Sequence, residues 1–192
     1  MVISTDMLYR VMKVRREKSS AERVRERKRY EDAAIAIIDE NFGKLKEWHI
    51  EKILDFLNMD IQDGTFRRDR FMPLFSEPNR RRLLRNPLDL LNELFIEIYW
   101  KENLDAADDL MARLDGVGEG LVSCLLYLKD RDRYNIMLDA TVRGIELVFG
   151  ESIGGKTFRE KYEKFNELAN KLKRLCKLEP QEMDLVLWAI AK

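Results

Sequence analysis

The chain has 192 residues, 45% of them hydrophobic and 36% charged, and a formal net charge of zero. No run approaches the roughly 18 apolar residues of a membrane span. The opening MVISTDMLYRVMKVRREK lacks the apolar core and small-residue cleavage site of a secretory signal, so an intracellular protein of one or two small domains is expected.

Two cysteines, Cys124 and Cys176, and a single histidine, His49, are too few for a disulfide framework, an iron-sulfur cluster or a four-ligand zinc site. Both cysteines fall on apolar helical stripes and are expected in the core. His49 reads as a structural or surface residue, not a metal ligand. The balanced charge is unevenly spread. Arg10 to Arg29 holds ten basic and three acidic residues, and Arg67 to Arg85 holds seven arginines against Asp69 and Glu77.

In chain order the elements are helices. Met7, Leu8, Val11 and Met12 give a helical spacing over Thr5 to Lys13, and Ser19 with Glu22 reads as a capping box opening a second helix. Residues 15–29 offer almost nothing to bury, so residues 1–29 read as a basic N-terminal helical arm. Its charged stretch is either a solvated helix, the preferred reading, or a phosphate-facing arm. A further helix is expected from about Lys46 to Met59. IQDGTFRRDRFMPLFSEP then reads as a long irregular loop, a kind that is often functional. Asn86-Pro87 marks the start of an apolar-rich, buried helix through LDLLNELFIEIYW. Thr157 with Glu160 is a second capping box, and Pro180 opens a short last helix. No alternating strand pattern or hairpin signal appears, so the fold class expected is all-α.

The segment LDGVGEG, Leu114 to Gly120, holds three of the nine glycines. Ala107, Leu110, Met111 and Leu114 precede it at helical spacing, and Leu121, Cys124, Leu125 and Leu128 follow it likewise. Two short amphipathic helices joined by a tight turn are therefore expected. Gly116 can end the first in a left-handed conformation, and Gly118 and Gly120 leave the amides at the start of the second uncovered. Such amides, at the positive end of a helix dipole, form a socket for one phosphate. An ordinary helix–helix connection would need only one glycine.

The wider stretch LDGVGEGLVSCLLYLKDRDRYNIMLDATVRGIELVFG resembles the helix-hairpin-helix DNA glycosylase superfamily, the group of endonuclease III and 8-oxoguanine glycosylase. Its signature is a leucine-proline-glycine-valine-glycine hairpin, a helix, a loop, and an aspartate opening the next helix. Here the hairpin reads LDGVG, with Asp115 in place of proline, and Asp139 in LDATVRGI stands where the catalytic aspartate does, 19 residues beyond Gly120. The likeness covers about 40 residues closely. It implies a two-lobed fold over 30–192 with the hairpin at the junction, double-stranded DNA as partner, and backbone contacts through Gly116, Val117, Gly118 and Gly120. It also implies hydrolysis of the glycosidic bond of a flipped base with Asp139 as catalytic carboxylate. A monovalent cation at the hairpin carbonyls is implied by the same analogy. Where bifunctional members carry a lysine nucleophile, this chain has Gly120, which implies a monofunctional enzyme, a relocated lysine, or a DNA-binding module without chemistry. A helical protein-interaction protein is the remaining alternative. Asp139 also reads as an N-cap of the helix Ala140 to Phe149.

Arg67, Arg68 and Arg70, followed by Arg80 and Arg81, are candidates for a second phosphate contact, interleaved with Phe66, Phe71 and Phe75; Gln62 is a candidate wedge. The alternative is that the phenylalanines anchor a loop and the arginines pair with acidic helix faces. Tyr99, Trp100 and Trp48 are candidates for a base-stacking pocket, or core.

Overall fold

The computed structural model describes residues 3–58 and 77–192, and among them every regular element is helical. The α-helices are α1 (Thr5–Lys18), α2 (Ala21–Glu40), α3 (Glu47–Asn58), α4 (Glu77–Leu83), α5 (Leu88–Leu94), α6 (Ala107–Arg113), α7 (Glu119–Lys129), α8 (Asp139–Phe149), α9 (Phe158–Cys176) and α10 (Met183–Ala191). The all-α class expected from the sequence is the class observed. None of the described helices is long and apolar enough to cross a membrane.

Side-chain oxygens mark several helix starts. Ser4 accepts the Met7 amide at 3.2 Å and Thr157 accepts that of Glu160 at 3.2 Å, each satisfying a donor that the first turn cannot use itself. The start of α2 lies one residue beyond the expected position: Ser20, not Ser19, accepts the Arg23 amide, while Ser19 closes α1 through its N–H to the Arg15 carbonyl at 2.9 Å. Pro87 precedes the first residue of α5, and the helix continues from Leu94 into a π-helical turn, Phe95–Trp100. Pro180–Glu182 forms a 3-10 turn before α10.

The core is organised on α7, and here the amphipathic expectation is corrected. Every residue from Gly120 to Leu128 is buried, so α7 is enclosed on all sides. The two polar side chains between Gly120 and Leu128 are satisfied internally. Ser123 bonds to the backbone nearby, and the Tyr127 hydroxyl donates to Glu31 at 2.8 Å. A helix that is apolar around its whole circumference belongs inside a bundle.

The basic N-terminal stretch is also not simply solvated. Glu31 of α2 is 0% exposed and accepts hydrogen bonds from Arg27 (3.1 Å), Arg131 (3.1 Å) and Gln181 (2.8 Å) as well as Tyr127. Arg27, 6% exposed, also reaches the Gln181 carbonyl at 2.7 Å and Asp184 at 2.5 Å. The adjacent carboxylates and the Tyr127 hydroxyl more than offset the cost of its burial and raise its pKa. Buried charges persist only when paired and hydrogen-bonded, and this network binds α2 to α7 and to the chain's last helix. Arg10 and Arg15 of α1 likewise contact Ile190 and Glu182.

Helices α8 and α10 share the widest helix–helix contact among the described elements. Gly144 permits it: a Cβ there would lie 3.0 Å from the Leu187 Cα and closer still to the Leu187 carbonyl, so the two backbones touch where any side chain would separate them.

Candidate nucleic-acid interface

The turn between α6 and α7 is built as its glycines require. Leu114 leaves α6 extended, with φ −116° and ψ 121°, Gly116 takes φ +74°, and Gly118 precedes α7 with φ −146° and ψ 179°. Only Gly116 is left-handed, and it is doubly constrained. A Cβ at Gly116 would lie 2.9 Å from the Leu83 nitrogen and 3.0 Å from the Asn79 carbonyl oxygen, so the backbone of α4 rests directly on the turn. Gly118 differs: it is exposed and a Cβ there would meet nothing within 4 Å. Val117 points inward and is buried, and Gly120 is buried within α7.

Asn86 locks the turn from outside. Its Oδ1 accepts the Asp115 amide at 2.8 Å, and its Nδ2 donates to the Asp115 and Leu83 carbonyls, each at 2.8 Å. One amide side chain thus pairs with the turn as a strand neighbour would, and ties it to the end of α4. Asn92 does the same between α5 and Leu45, accepting its amide at 2.8 Å and donating to its carbonyl at 2.9 Å. Sequence reasoning used Asn86 only as a helix-start signal.

A buried serine links the turn to Asp139. Ser123 Oγ lies 3.1 Å from the Gly120 carbonyl and accepts the Met137 amide at 2.9 Å, so two hydrogen bonds join the first turn of α7 to a backbone position two residues before Asp139. Asp139 is exposed and is the first residue of α8. The expectation that it caps this helix is corrected, because the residue preceding the helix is Leu138. Thr141 holds this corner: its hydroxyl accepts the Leu138 amide at 2.7 Å and lies 3.0 Å from the Ile136 and Leu138 carbonyls. With the cap supplied by Thr141, the Asp139 carboxylate makes no hydrogen bond to any described residue and is left to solvent. Ser123 was legible as a polar residue inside an otherwise apolar helical run.

Acids and bases alternate around the turn. Glu119 is paired with Lys161 at 2.5 Å, and Arg113 bridges Glu93 (2.8 Å) and Asp109 (2.9 Å). Exposed Arg82, whose Cβ would lie 3.2 Å from one added at Gly116, has no ion pair with a described residue, nor has exposed Arg143 one turn after Asp139.

The remaining sequence candidates divide clearly. Arg67, Arg68, Arg70, Gln62, Phe66, Phe71 and Phe75 lie outside the described residues. Arg80 is in α4 and forms a salt bridge with Asp55 of α3, the acidic-face alternative; Arg81, beside it, is exposed. Tyr99 is core, 1% exposed, donating to Asp39 at 2.9 Å, with its phenol pKa raised by burial and by that carboxylate. Trp100 packs edge-on to Phe42, and Trp48 stands 54% exposed with its ring 3.7 Å from that of His49. These aromatics therefore form no common pocket. His49 is structural: Nδ1 accepts the Lys46 amide at 3.0 Å at the start of α3. Cys124 and Cys176 are both buried and free. Lys129, at the far end of α7, sits 5.1 Å from the centre of the Tyr99 ring.

The carbonyls of Leu114, Asp115, Gly118 and Gly120 each accept a hydrogen bond, which uses one of the two lone pairs on each oxygen. Among the described residues no group of three His, Cys, Asp or Glu side chains could hold a metal ion. Comparison of the chain with protein-family models, curated proteins and solved structures finds no match.

Proposed function

We propose that this protein binds double-stranded DNA through a helix-hairpin-helix motif formed by α6, the 114–120 turn and α7, and that it hydrolyses the N-glycosidic bond of a damaged or mispaired base. The observation that supports this best is the Ser123 link, which ties an open glycine turn to the corner from which the exposed Asp139 emerges. On this reading the chain is a two-lobed member of the glycosylase type. The first amides of α7, which have no partner within their own helix, and the positive end of its dipole receive one phosphate at exposed Gly118. The target nucleotide turns out of the duplex toward Asp139. The carboxylate stabilises the positive charge that develops on the sugar as the bond to the base breaks. It also takes a proton from the water whose oxygen bonds to the anomeric carbon, while the base leaves with the electron pair of the broken bond and gains the equivalent proton through solvent, which returns the carboxylate to its charged form. Gly120 supplies no amine, so no Schiff base forms from that position.

The test is incubation with duplexes carrying uracil, oxidised guanine, alkylated adenine or a mismatch, followed by hot alkali to reveal abasic sites. Cleavage of one substrate that is lost in Asp139→Asn is expected. Equal activity in both proteins refutes the mechanism.

A second reading, a DNA-binding module without chemistry, is favoured by one observation. No described side chain holds the Asp139 carboxylate, whereas catalytic groups are held by supporting hydrogen bonds. Salt-dependent duplex binding with no abasic product on any substrate selects that reading.

A further inference from the structure

We propose that the elbow between α1 and α2 is a second nucleic-acid contact, a cleft that takes the phosphodiester backbone. The proposal rests on the DNA-binding reading above. The cleft has a volume of about 630 Å³, with Met12 and Val24 on its apolar surface and the exposed arginines Arg16 and Arg25 at its edge. Arg25 and Lys28 lie three residues apart on α2 and project from one face, so the positive edge continues along that helix.

The elbow gathers several cations around one cleft, which suits a polyanion. Elsewhere on the described surface Lys101, Arg113, Arg133, Arg159, Lys161 and Lys164 each sit on a carboxylate, while exposed Arg82, Arg85, Arg143, Lys156 and Arg174 have no ion pair with a described residue. Along the elbow, Arg16, Lys18, Arg25 and Lys28 have no ion pair with a described residue, although the chain as a whole has as many acids as bases. Of the two acids lining the cleft, Glu182 is held by Arg15 at 2.9 Å. Of the lining acids this leaves Glu179, and exposed Glu22 lies three residues before Arg25 on α2. The rigid base is the buried Arg27–Glu31 pair on the opposite face of α2, which fixes the helix on the body while its outer cations remain available. Arginines alternating with an apolar surface suit a backbone in which phosphates alternate with sugars, better than they suit an acidic peptide, whose carboxylates would need no apolar floor.

The experiment compares wild type, the triple variant Arg16→Gln/Arg25→Gln/Lys28→Gln, and Gly118→Val in the turn, by fluorescence anisotropy on duplex DNA across a salt series. Each lost phosphate contact reduces the slope of log K against log salt by about 0.9 on duplex DNA, so a slope smaller by roughly 2 to 3 is expected for the triple variant. Gly118→Val is expected to weaken binding while the elbow's contribution to the slope persists. A charge-restoring triple, Arg16→Lys/Arg25→Lys/Lys28→Arg, should recover the slope, which a merely structural role would not produce. Wild-type binding with an unchanged slope in the triple variant overturns the elbow contact and leaves the turn intact. No wild-type binding overturns the DNA reading itself. Loss of binding to poly-glutamate, but not to DNA, in the triple variant would assign the cleft to an acidic protein partner and overturn the proposal.

Discussion

Gly116→Ala is the sharpest perturbation of the turn, because strain and collision add at one atom. Alanine at φ +74° costs about 1 kcal/mol for the left-handed backbone. Its Cβ would also approach the Leu83 nitrogen at 2.9 Å, the Asn79 oxygen at 3.0 Å and the Arg82 Cβ at 3.2 Å. Two of these are backbone atoms of α4, which cannot rotate away, so the helix must move; overpacking of this kind costs about 1–3 kcal/mol. The total is about 2–4 kcal/mol, and at roughly 2–4 °C per kcal/mol for a chain of this size it lowers Tm by about 5–15 °C. Gly150 is the control, with φ +66° and nothing within 4 Å of an added Cβ. Gly150→Ala should cost the strain alone, about 1 kcal/mol. Gly116→Asn separates the two causes, since asparagine tolerates the left-handed region but retains the Cβ. Thermal unfolding followed by circular dichroism reads all three. If Gly116→Ala shifts Tm no more than Gly150→Ala, α4 does not rest on the turn and the geometry described for this corner is wrong.

Asn86→Ala removes the paired hydrogen bonds to Asp115 and should cost about 1–2 kcal/mol in urea denaturation. Combined with Gly116→Ala its effect should fall short of additive, because both changes loosen the same corner; strict additivity would show that they do not share it. Glu31→Ala leaves buried Arg27 with Asp184 as its remaining carboxylate and takes the acceptor from Tyr127 and Gln181, and should cost about 3–5 kcal/mol; a loss below about 1 kcal/mol would refute the burial of that network. His49 is the chain's single histidine, and loss of hydration together with Lys46 and Lys52 lowers its pKa, so the folded ring takes up a proton less readily than the unfolded one. Above about pH 6.5 the ring is neutral in both folded and unfolded chains; below it the unfolded chain binds the proton more readily, so stability falls as the pH drops through that region. His49→Asn should flatten this slope between about pH 7.5 and 5.5, measured as the urea midpoint, and an unchanged slope would assign it to other groups.

The sequence-based expectations succeed where the cause is local and fail where it is distant. The Thr157 cap and the left-handed Gly116 each follow from residues within a turn or two of one another, and each is observed, although Glu160 reaches back to the Lys156 amide and not to that of Thr157. Helical periodicity sees one helix at a time, so it reported the stripe Leu121, Cys124, Leu125 and Leu128 but not that α7 is covered on its remaining sides. The signal for that was composition: between Gly120 and Lys129 only Ser123 and Tyr127 are polar. Arg27 looked solvated for the same reason, and Glu31 lies one turn beyond it. Their spacing is that of an ordinary surface pair, whereas the partners that allow their burial, Tyr127, Arg131, Gln181 and Asp184, lie from 96 to 157 residues away in sequence.

The candidate site shows the same division. The turn and Asp139 were visible as a motif, but the groups that fix their relation, Asn86, Ser123 and Thr141, were not, because each acts across a gap between elements. Asn86 stood beside a proline and was absorbed into a helix-start signal. Its amide instead serves the backbone of a turn 29 residues on. A short polar side chain placed between two backbone segments can satisfy the donor of one and the acceptors of both, which neither segment could do alone. Such residues fix the 114–120 turn relative to the corner that carries the Asp139 carboxylate, and a local pattern gives the parts of that arrangement without their spacing. Under the proposed function, Ser123 and Asn86 are positioning residues: they hold the backbone on either side of Asp139 and the turn, and neither would touch the DNA.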